Sequence, residues 1–231
     1  PGSGIKMLQD NGYEVVVSPH DRDLERQELL NFIQGADGVL TMLTDKVDEG
    51  FINACGPNLK IVANFAVGFD NLDLPTISSH NIVVTNTPDV LTEAVAEHTF
   101  ALLMAISRRI VEAHKLALTE SSTFGPEVLL GTELKDKILG VLGLGRIGGR
   151  VAEIGKAFGM NIIYYDIKQN PEFEQKTKAQ FKATPEELLK EADFVSVHVP
   201  LLDSTKHLIN SERLAMMKKT AYLINTSRGP V

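Results

Sequence analysis

The stretch GVLGLGRIGGRVAEIGKAFGMNIIYYD, residues 140–166, contains three glycines in the spacing G-x-G-x-x-G, at Gly143, Gly145 and Gly148. An apolar run precedes the glycines, a helical pattern follows them, and a second run of β-branched and aromatic residues ends on Asp166. A glycine turn that joins a strand to a helix, with an acid after the next strand, is typical of a dinucleotide-binding βαβ unit. The stretch therefore predicts a Rossmann-type domain.

Each part of the turn has its own physical role. Gly143 permits the tight turn, Gly145 lets a pyrophosphate approach the backbone, and Gly148 lets the helix lie close to the strand. The amides of Arg146 and Ile147 would face the phosphates at the positive end of the helix dipole. The alternative interpretation is a glycine-rich turn that binds nothing.

Asp166 bears on the choice of dinucleotide. It lies 18 residues after Gly148, where a carboxylate accepts hydrogen bonds from the adenosine ribose hydroxyls and repels a 2′-phosphate. This favours NAD over NADP. Lys168 follows two residues later and keeps NADP open, because a cation there would accommodate the phosphate. Asp166 as a turn residue at the end of a strand is the other interpretation.

Bulk composition limits the class of protein. The 231 residues suffice for one large or two modest domains, and the net charge is −7 without a block of five like charges, so no nucleic-acid or anionic-membrane partner is indicated. No apolar run reaches 18 residues, and no signal-peptide pattern opens the sequence. Cys55, the only cysteine, excludes an intrachain disulfide and fits a reducing compartment, so we expect a cytoplasmic protein. The histidines and Cys55 show no metal-ligand spacing, and no metal is expected.

Short apolar runs alternate with helical patterns along the whole chain, as in parallel sheets covered on both faces. In the first part, strands are predicted at 14–18, 38–41, 61–64 and 82–85, with helices at 24–34 and 75–80. One long helix is predicted at 91–118, followed by an irregular arm at 119–134. Further strands are predicted at 137–142, 161–165, 194–198 and 221–225, with helices at 147–158, 185–192 and 211–217. The predicted class is α/β, with two doubly wound parallel-sheet domains at residues 1–90 and 91–231.

Five motifs resemble one known family in their wording and order. They are NFAVGFDNLD (64–73), TNTPDVLTEAVAEHT (85–99), LGLGRIGGRVA (142–152), VSVHVPLLDSTKHLIN (195–210) and INTSRGPV (224–231). Together they resemble the D-2-hydroxyacid dehydrogenases, and the second motif is most similar to the branch of glyoxylate/hydroxypyruvate and 2-ketogluconate reductases. The resemblance implies a flavodoxin-like substrate domain and a Rossmann NAD-binding domain with a cleft between them. It also implies NAD(P)H-dependent reduction of a small 2-oxo acid to the D-2-hydroxy acid.

The resemblance assigns roles to individual residues. Arg228 matches the catalytic arginine that binds the substrate carboxylate and keto oxygen, and its planar fork suits both groups. It also follows the last predicted strand, at the edge where α/β sheets bind ligands; a surface arginine on a loop is the alternative. The residues matched to substrate-binding loops are Val67, Gly68 and Leu43, although 67–68 also fits a plain turn. The residues matched to cofactor contacts are Val95, Val199, Pro200, Thr205, Thr226 and Ser227.

The sequence departs from the family pattern in two places. The resemblance places the catalytic Glu and His beyond Val231 and a further strand before residue 4, so we expect a fragment that is inactive alone. All six histidines are interpreted as structural or surface residues. In the arm, Phe124 stands where relatives carry tryptophan, and the whole chain has none.

Two classes of function remain open. The leading hypothesis is a 2-oxo acid reductase; phosphoglycerate, phosphite and formate dehydrogenases are alternatives within the enzyme class. The other class is an NAD-sensing dimeric scaffold, like the transcriptional corepressors of this family. A truncated protein that binds NAD without turnover is a further possibility. We expect a homodimer through the NAD-binding domain, because residues 91–134 carry more apolar surface than one domain edge should expose.

Overall fold

The chain divides into two compact units, Pro1–Thr87 and Pro88–Val231. The computed structural model describes residues 2–119 and 125–231. The change from one unit to the next lies three residues before the predicted domain boundary at residue 90.

The first unit contains a three-stranded parallel sheet with strand order β1-β2-β3. Its elements are α1 (Gly2–Asp10), α2 (Arg26–Phe32), β1 (Gly38–Thr41), α3 (Glu49–Cys55), β2 (Ile61–Asn64), α4 (Leu74–Ser79) and β3 (Val83–Thr85). The first two of these strands match their predicted bounds, and β3, α2 and α4 lie at the predicted places. Fully buried Val47, Phe51 and Ile77 pack around Val62 of β2, so the apolar runs of this part form one core.

The strand predicted at residues 14–18 is wrong. These residues form no strand, and Val16 and Val17 are 69% and 57% exposed. A run of β-branched residues satisfies the local pattern, but a strand also needs a neighbour for its backbone groups and a surface to cover. In the described part of the chain, residues 14–18 have neither a neighbouring strand nor a surface to pack against.

The second unit contains a five-stranded parallel sheet with strand order β6-β5-β4-β7-β8. Its elements are α5 (Thr92–Ser107), α6 (Ile110–Ala117), β4 (Ile138–Leu142), α7 (Arg146–Ala157), β5 (Asn161–Tyr165), α8 (Pro171–Thr177), β6 (Gln180–Phe181), α9 (Pro185–Glu191), β7 (Phe194–Val197), α10 (Ser211–Met216) and β8 (Tyr222–Asn225). The four strands and three helices predicted beyond residue 136 are confirmed to within one residue, whereas α8 and β6 were not predicted. The strand order reverses between β4 and β7, which defines a doubly wound sheet; the three strands of the first unit are in sequential order.

Both faces of the five-stranded sheet are covered. Leu139 and Val141 of β4 pack on one face with Phe100 of α5. Leu142 packs on the other face with Leu188 of α9. Successive side chains of a strand point to opposite faces, so a strand buried on both sides has to be apolar throughout. This explains the continuous apolar runs in the sequence.

The single helix predicted at 91–118 is in fact two helices. The helix α5 ends at Ser107, Arg109 adopts a left-handed backbone with φ of 53°, and α6 begins at Ile110. The amide of Thr132 donates to the Ser107 carbonyl at 2.7 Å, so the arm takes an acceptor that a continuing helix would use. The approach requires Gly131, since a Cβ there would lie 2.5 Å from the Ser107 oxygen. Residues 120–124 of the arm, including Phe124, lie outside the described residues.

The helix α7 lies unusually close to the strand that precedes it. A Cβ at Gly148 would stand 1.9 Å from the carbonyl oxygen of Gly143, and one at Gly155 would stand 2.6 Å from Leu139 Cδ2. The next helical glycine, Gly149, has room: its Cβ would meet only Phe173, at 3.7 Å. A Cβ therefore fits at Gly149 but not at Gly148.

We expect Gly148→Ala to lower the free energy of unfolding by more than about 2 kcal/mol, because the backbone has to move away from the new methyl group. Gly149→Ala is the matched control and should raise it by roughly 0.5–1 kcal/mol, since alanine favours a helix. Urea denaturation of the 231-residue chain measures both. Equal effects of the two substitutions would contradict the close approach.

Candidate active site

In the second unit, the C-terminal ends of β5, β4, β7 and β8 lie side by side at one edge of the sheet. Parallel pairing sets Tyr165 beside Leu142, Leu142 beside Val197, and Val197 beside Asn225. The segments after these strands therefore leave the sheet at the same edge. The residues that come next are Asp166, Gly143, His198 and Thr226. Ligands of open α/β sheets bind at this edge, where the strand order reverses, and here the reversal lies between β4 and β7.

The glycine turn closes tightly against the segment that follows β7. Gly143 has φ of 93°, and a Cβ there would stand 2.9 Å from the His198 carbonyl carbon and the Val199 nitrogen. At Gly145 a Cβ would meet nothing within 4 Å. Gly143 is thus required by the fold, whereas the space over Gly145 leaves the backbone open to a ligand.

The N-terminus of α7 carries no side-chain cap. Helices α3, α4, α8, α9 and α10 are capped by side chains, which belong to Asp48, Asp73, Asn170, Thr184 and Asn210. The N-cap of α7 is Gly145, and the amides of Arg146 and Ile147 have no acceptor among the described residues. Uncapped amides at the positive end of a helix dipole fit an anion. The pyrophosphate of a dinucleotide fits this place.

Asp166 is bonded to the glycine turn. The amide of Leu144 donates to Asp166 Oδ2 at 2.6 Å, and the amide of Gly143 donates to the Tyr165 carbonyl at 2.8 Å. The other carboxylate oxygen has no partner in the part of the chain that the structure describes. Asp166 is therefore a turn residue that also has an oxygen left for a ribose hydroxyl. Its assignment as a cofactor contact stays a prediction.

Two ion pairs join α7 to the segment at the start of the second unit. Arg146 Nε lies 2.6 Å from Asp89 Oδ1, and Arg150 Nε lies 2.8 Å from Glu93 Oε2. The sequence does not indicate either pair, because the partners are more than fifty residues apart and only the packing of α5 on α7 brings them together. The Arg146 pair is about two-thirds exposed, and such pairs contribute only about 0–1 kcal/mol. An anion at the α7 N-terminus can therefore compete for the Arg146 side chain.

Thr205 organises the loop that follows β7. Its hydroxyl donates to the Pro200 carbonyl at 2.5 Å and accepts from the Leu202 amide at 2.8 Å. Val199 is buried and Pro200 is exposed. Three of the predicted cofactor residues thus belong to one turn, in which Thr205 supports the other two.

Thr226 and Val95, two further predicted cofactor residues, are connected through the side chain of Thr99. The hydroxyls of Thr226 and Thr99 are 3.0 Å apart, and the Thr99 hydroxyl donates to the Val95 carbonyl at 2.8 Å. This chain links the end of β8 to the first turns of α5. Thr99 was missed, since a buried threonine within a helix gives no signal in a sequence.

Arg228 lies in a turn that Asn225 builds. The Asn225 side chain donates to the Arg228 carbonyl at 2.9 Å and accepts from the Ser227 amide at 2.9 Å. The Arg228 side chain is half-buried and donates to the Ser227 carbonyl at 3.0 Å. Asn225, which the sequence analysis did not select, thus fixes the path of the residues that carry the guanidinium.

In the first unit, two asparagines hold the loop that contains Val67 and Gly68. Buried Asn64 donates to the Gly68 carbonyl at 2.9 Å, and Asn86 donates to the Val67 carbonyl at 3.0 Å. The amides of Val67 and Gly68 have no acceptor among the described residues. Two unbonded amides side by side suit a carboxylate. Leu43 lies in a separate turn and is 42% exposed.

His198 sits at the end of β7 and is largely desolvated. Burial lowers the pKa of its imidazole to about 4, and its Nε2 lies 2.7 Å from the Ser196 hydroxyl. The ring is therefore neutral over the physiological range. Within residues 2–119 and 125–231, no three side chains of the metal-binding types gather in a way that could hold a metal ion. The helices of these residues are all too short or too polar to cross a membrane.

Comparisons with known proteins agree with this geometry. The family model for the NAD binding domain of D-isomer specific 2-hydroxyacid dehydrogenases matches residues 100–231. The chain is 46% identical over 233 residues to glyoxylate reductase of Thermofilum pendens, which covers 100% of this chain and 68% of that protein. It is thus similar to a reductase along its whole length.

Two solved structures are similar in fold and sequence. The TT0316 protein from Thermus thermophilus superposes with a TM-score of 0.92 at 41% identity, covering 100% of this chain and 72% of that one. D-lactate dehydrogenase from Aquifex aeolicus, complexed with NAD and lactic acid, gives a TM-score of 0.78 at 38% identity and covers 87% and 59% of the two chains. The chain belongs to the D-isomer specific 2-hydroxyacid dehydrogenase family.

The low pKa of His198 predicts a pH dependence of stability. The unfolded chain binds a proton at this residue below its ordinary pKa of 6.5, whereas the folded chain does so only near 4. Stability therefore falls as the pH drops from 6.5 to 4, on the order of 3 kcal/mol from this group.

Urea unfolding at pH 7 and pH 4.5 should show a smaller loss in His198→Gln than in the wild type. Subtracting the two proteins removes the contribution of all carboxylates. An identical loss in both would show that His198 titrates normally.

Proposed function

We propose that the protein reduces a small 2-oxo acid of the glyoxylate or hydroxypyruvate type to the D-2-hydroxy acid, with NADH as the reductant. One observation supports the proposal. The strands β4, β5 and β8 end in one row of the same sheet. They are followed by the uncapped N-terminus of α7, by the carboxylate of Asp166 and by the guanidinium of Arg228, in that order. This set combines an anion site, a ribose contact and a carboxylate-binding group.

The residues around α7 hold the cofactor in this proposal. When bound, NADH supplies the hydride that is added to C2 of the substrate. The amides of Arg146 and Ile147 bind the pyrophosphate, and the open backbone at Gly145 lets it approach. Asp166 accepts a hydrogen bond from a ribose hydroxyl through its second oxygen. A 2′-phosphate would meet the carboxylate charge there, so NADH is the preferred cofactor.

Arg228 binds the substrate in this proposal. Its two-pronged donor set orients the carboxylate and the keto oxygen together, and its charge stabilises the negative charge that develops on that oxygen as hydride arrives. In the first unit, the amides of Val67 and Gly68 would suit a carboxylate, and Leu43 stays a predicted substrate contact. His198 is not assigned as the proton donor for the new hydroxyl, since desolvation lowers the pKa of its imidazole to about 4.

The relatives favour a reductase over a scaffold that only senses NAD. A scaffold needs the dinucleotide site but makes no use of a half-buried arginine held in a built turn beside it. We also propose a cytoplasmic location, which fits a sequence whose single cysteine, Cys55, can form no intrachain disulfide. The substrate domain is assigned to the first unit and the NAD-binding domain to the second.

Arg228→Lys tests the function. Lysine keeps the charge but loses the fork, and misplacing the substrate by about an ångström lowers the rate roughly a hundredfold. We expect kcat/KM for glyoxylate to fall by about that factor, with NADH affinity unchanged. NADH oxidation by the protein is measured with glyoxylate, hydroxypyruvate, pyruvate and 2-ketogluconate. Arg213→Lys, at an arginine paired with Glu186, is the control; wild-type kcat/KM in the Arg228 variant refutes the role.

We also propose a homodimer through the second unit. The helices α5 and α6 expose Leu102, Ile106, Ile110 and Val111, each by 41–59%. A groove of about 390 Å³ beside them reaches Leu223 of β8. Apolar surface on this scale marks an interface, and a two-fold axis buries the same patch on both copies.

Sedimentation should give a dimer at micromolar concentration for the wild type and a monomer for Ile106→Glu, because the acid would be buried without a partner. Leu214→Glu is the matched control, since Leu214 and Ile106 are 47% and 48% exposed and Leu214 lies on α10. The control should stay dimeric. A folded wild type that is monomeric contradicts the proposal.

A further inference from the structure

Tyr164 is a buried tyrosine whose hydroxyl serves the loop after β5. The side chain is fully buried, and its hydroxyl donates to Glu174 Oε1 at 2.7 Å. The amide of Asn170 donates to the same hydroxyl at 2.8 Å. Gln169 adds a bond from its side-chain nitrogen to Glu174 Oε1 at 2.9 Å. We call these four residues the Tyr164 clamp.

The clamp fixes one end of the segment 166–170, and the glycine turn fixes the other. At the first end, Asp166 accepts from the Leu144 amide at 2.6 Å. Between the two anchors lie Ile167, which is 97% exposed, and Lys168, which is exposed and has no partner among the described residues. Neither residue has a hydrogen bond of its own among the described residues, so their position depends on the two anchors; at the second anchor, Asn170 also caps α8 by accepting from the Phe173 amide at 3.0 Å.

Lys168 is the cation nearest in sequence to the carboxylate that we assign to the ribose. A 2′-phosphate differs from a 2′-hydroxyl in size and in two negative charges, so a mobile ammonium beside Asp166 would favour NADPH. A lysine has a long flexible stem, but its reach still depends on where the backbone places its Cα. Holding 166–170 between two anchors limits that reach.

We propose that Tyr164 is a positioning residue for cofactor discrimination: by fixing Asn170 and Glu174, it holds the Asp166–Lys168 segment in the arrangement that selects NADH over NADPH. The proposal rests on the proposed function, because it concerns the same dinucleotide site. Tyr164 lies in the core and acts through the loop, without touching the cofactor. Burial raises the pKa of its phenol to about 12, so the hydroxyl keeps the proton that it donates.

Tyr164→Phe removes the hydroxyl alone. The dissociation constants of NADH and NADPH for the protein are measured by isothermal titration calorimetry. We expect the preference for NADH, expressed as the ratio of the two constants, to fall by about fivefold, which corresponds to one hydrogen bond of ordinary net strength. Tyr222→Phe is the matched control: its hydroxyl lies 2.9 Å from that of Thr132, in β8 at the opposite edge of the sheet. The control should leave the ratio unchanged.

Substitutions at Glu174 separate positioning from packing. Glu174→Gln keeps an oxygen that accepts the Tyr164 bond, so the ratio should stay near the wild-type value. Glu174→Ala removes the acceptor at a half-buried position, relaxes the ratio in the same direction as Tyr164→Phe, and keeps the proposal testable if the tyrosine variant does not fold. Adding Lys168→Gln to Tyr164→Phe should restore most of the NADH preference.

The outcomes are distinct. A Tyr164→Phe protein that weakens both cofactors by the same factor, or that leaves both constants unchanged, overturns the proposal. Loss of NADH preference in Tyr222→Phe would also overturn it, since the effect would then be general loosening. A wild-type chain that binds neither dinucleotide overturns the proposed function and this inference together, whereas tight NADH binding with an unaltered ratio in the variants overturns only the inference.

Discussion

The close approach of Gly148 to the Gly143 carbonyl determines where the N-terminus of α7 stands. No Cβ fits between these two backbones, because it would lie 1.9 Å from the carbonyl oxygen. The contact brings the helix onto the end of β4 and turns its first amides toward the edge at which the strands finish. The candidate anion site thus depends on two glycines that let one backbone touch another, and the ends of β5 and β7 flank the end of β4 in the same sheet.

The same burial that makes the sheet stable also shapes its chemistry. Apolar side chains cover both faces of β4, β5 and β7, so a polar group placed at the strand ends is half removed from water. His198 shows the effect, since burial alone accounts for its lowered pKa. For Tyr164 the shift has the opposite direction. Burial raises the pKa of its phenol, because the deprotonated form would be an anion. Burial therefore favours the neutral form of both His198 and Tyr164.

The fold can be predicted from the sequence where the local pattern and the tertiary packing require the same residues. The strands β4, β5, β7 and β8 are apolar because they are buried on both faces, and the glycine turn is specific because its spacing follows from the contact just described. The run at 14–18 failed because β propensity alone supplies no partner strand. The break at Arg109 was missed because its cause, the Thr132 amide at the Ser107 carbonyl, comes from a distant segment. Thr99, Asn225, Asp89 and Tyr164 were missed for the same reason: each acts through a partner that only the fold brings near.

Each unit contains backbone amides that donate no hydrogen bond to the described part of the protein. A backbone amide binds an anion well only if no protein group already occupies it, yet an unbonded amide buried in the protein is costly. In the second unit, polar side chains cap three other helices and leave α7 with a glycine. In the first unit, Asn64 and Asn86 bond the carbonyls of Gly68 and Val67, which fixes the peptide planes while the amides stay unbonded. Side chains thus satisfy the acceptors and fix the geometry, and the donors are left for a negatively charged ligand. The residues that shape these candidate sites are for this reason asparagines and threonines whose bonds go to the protein itself.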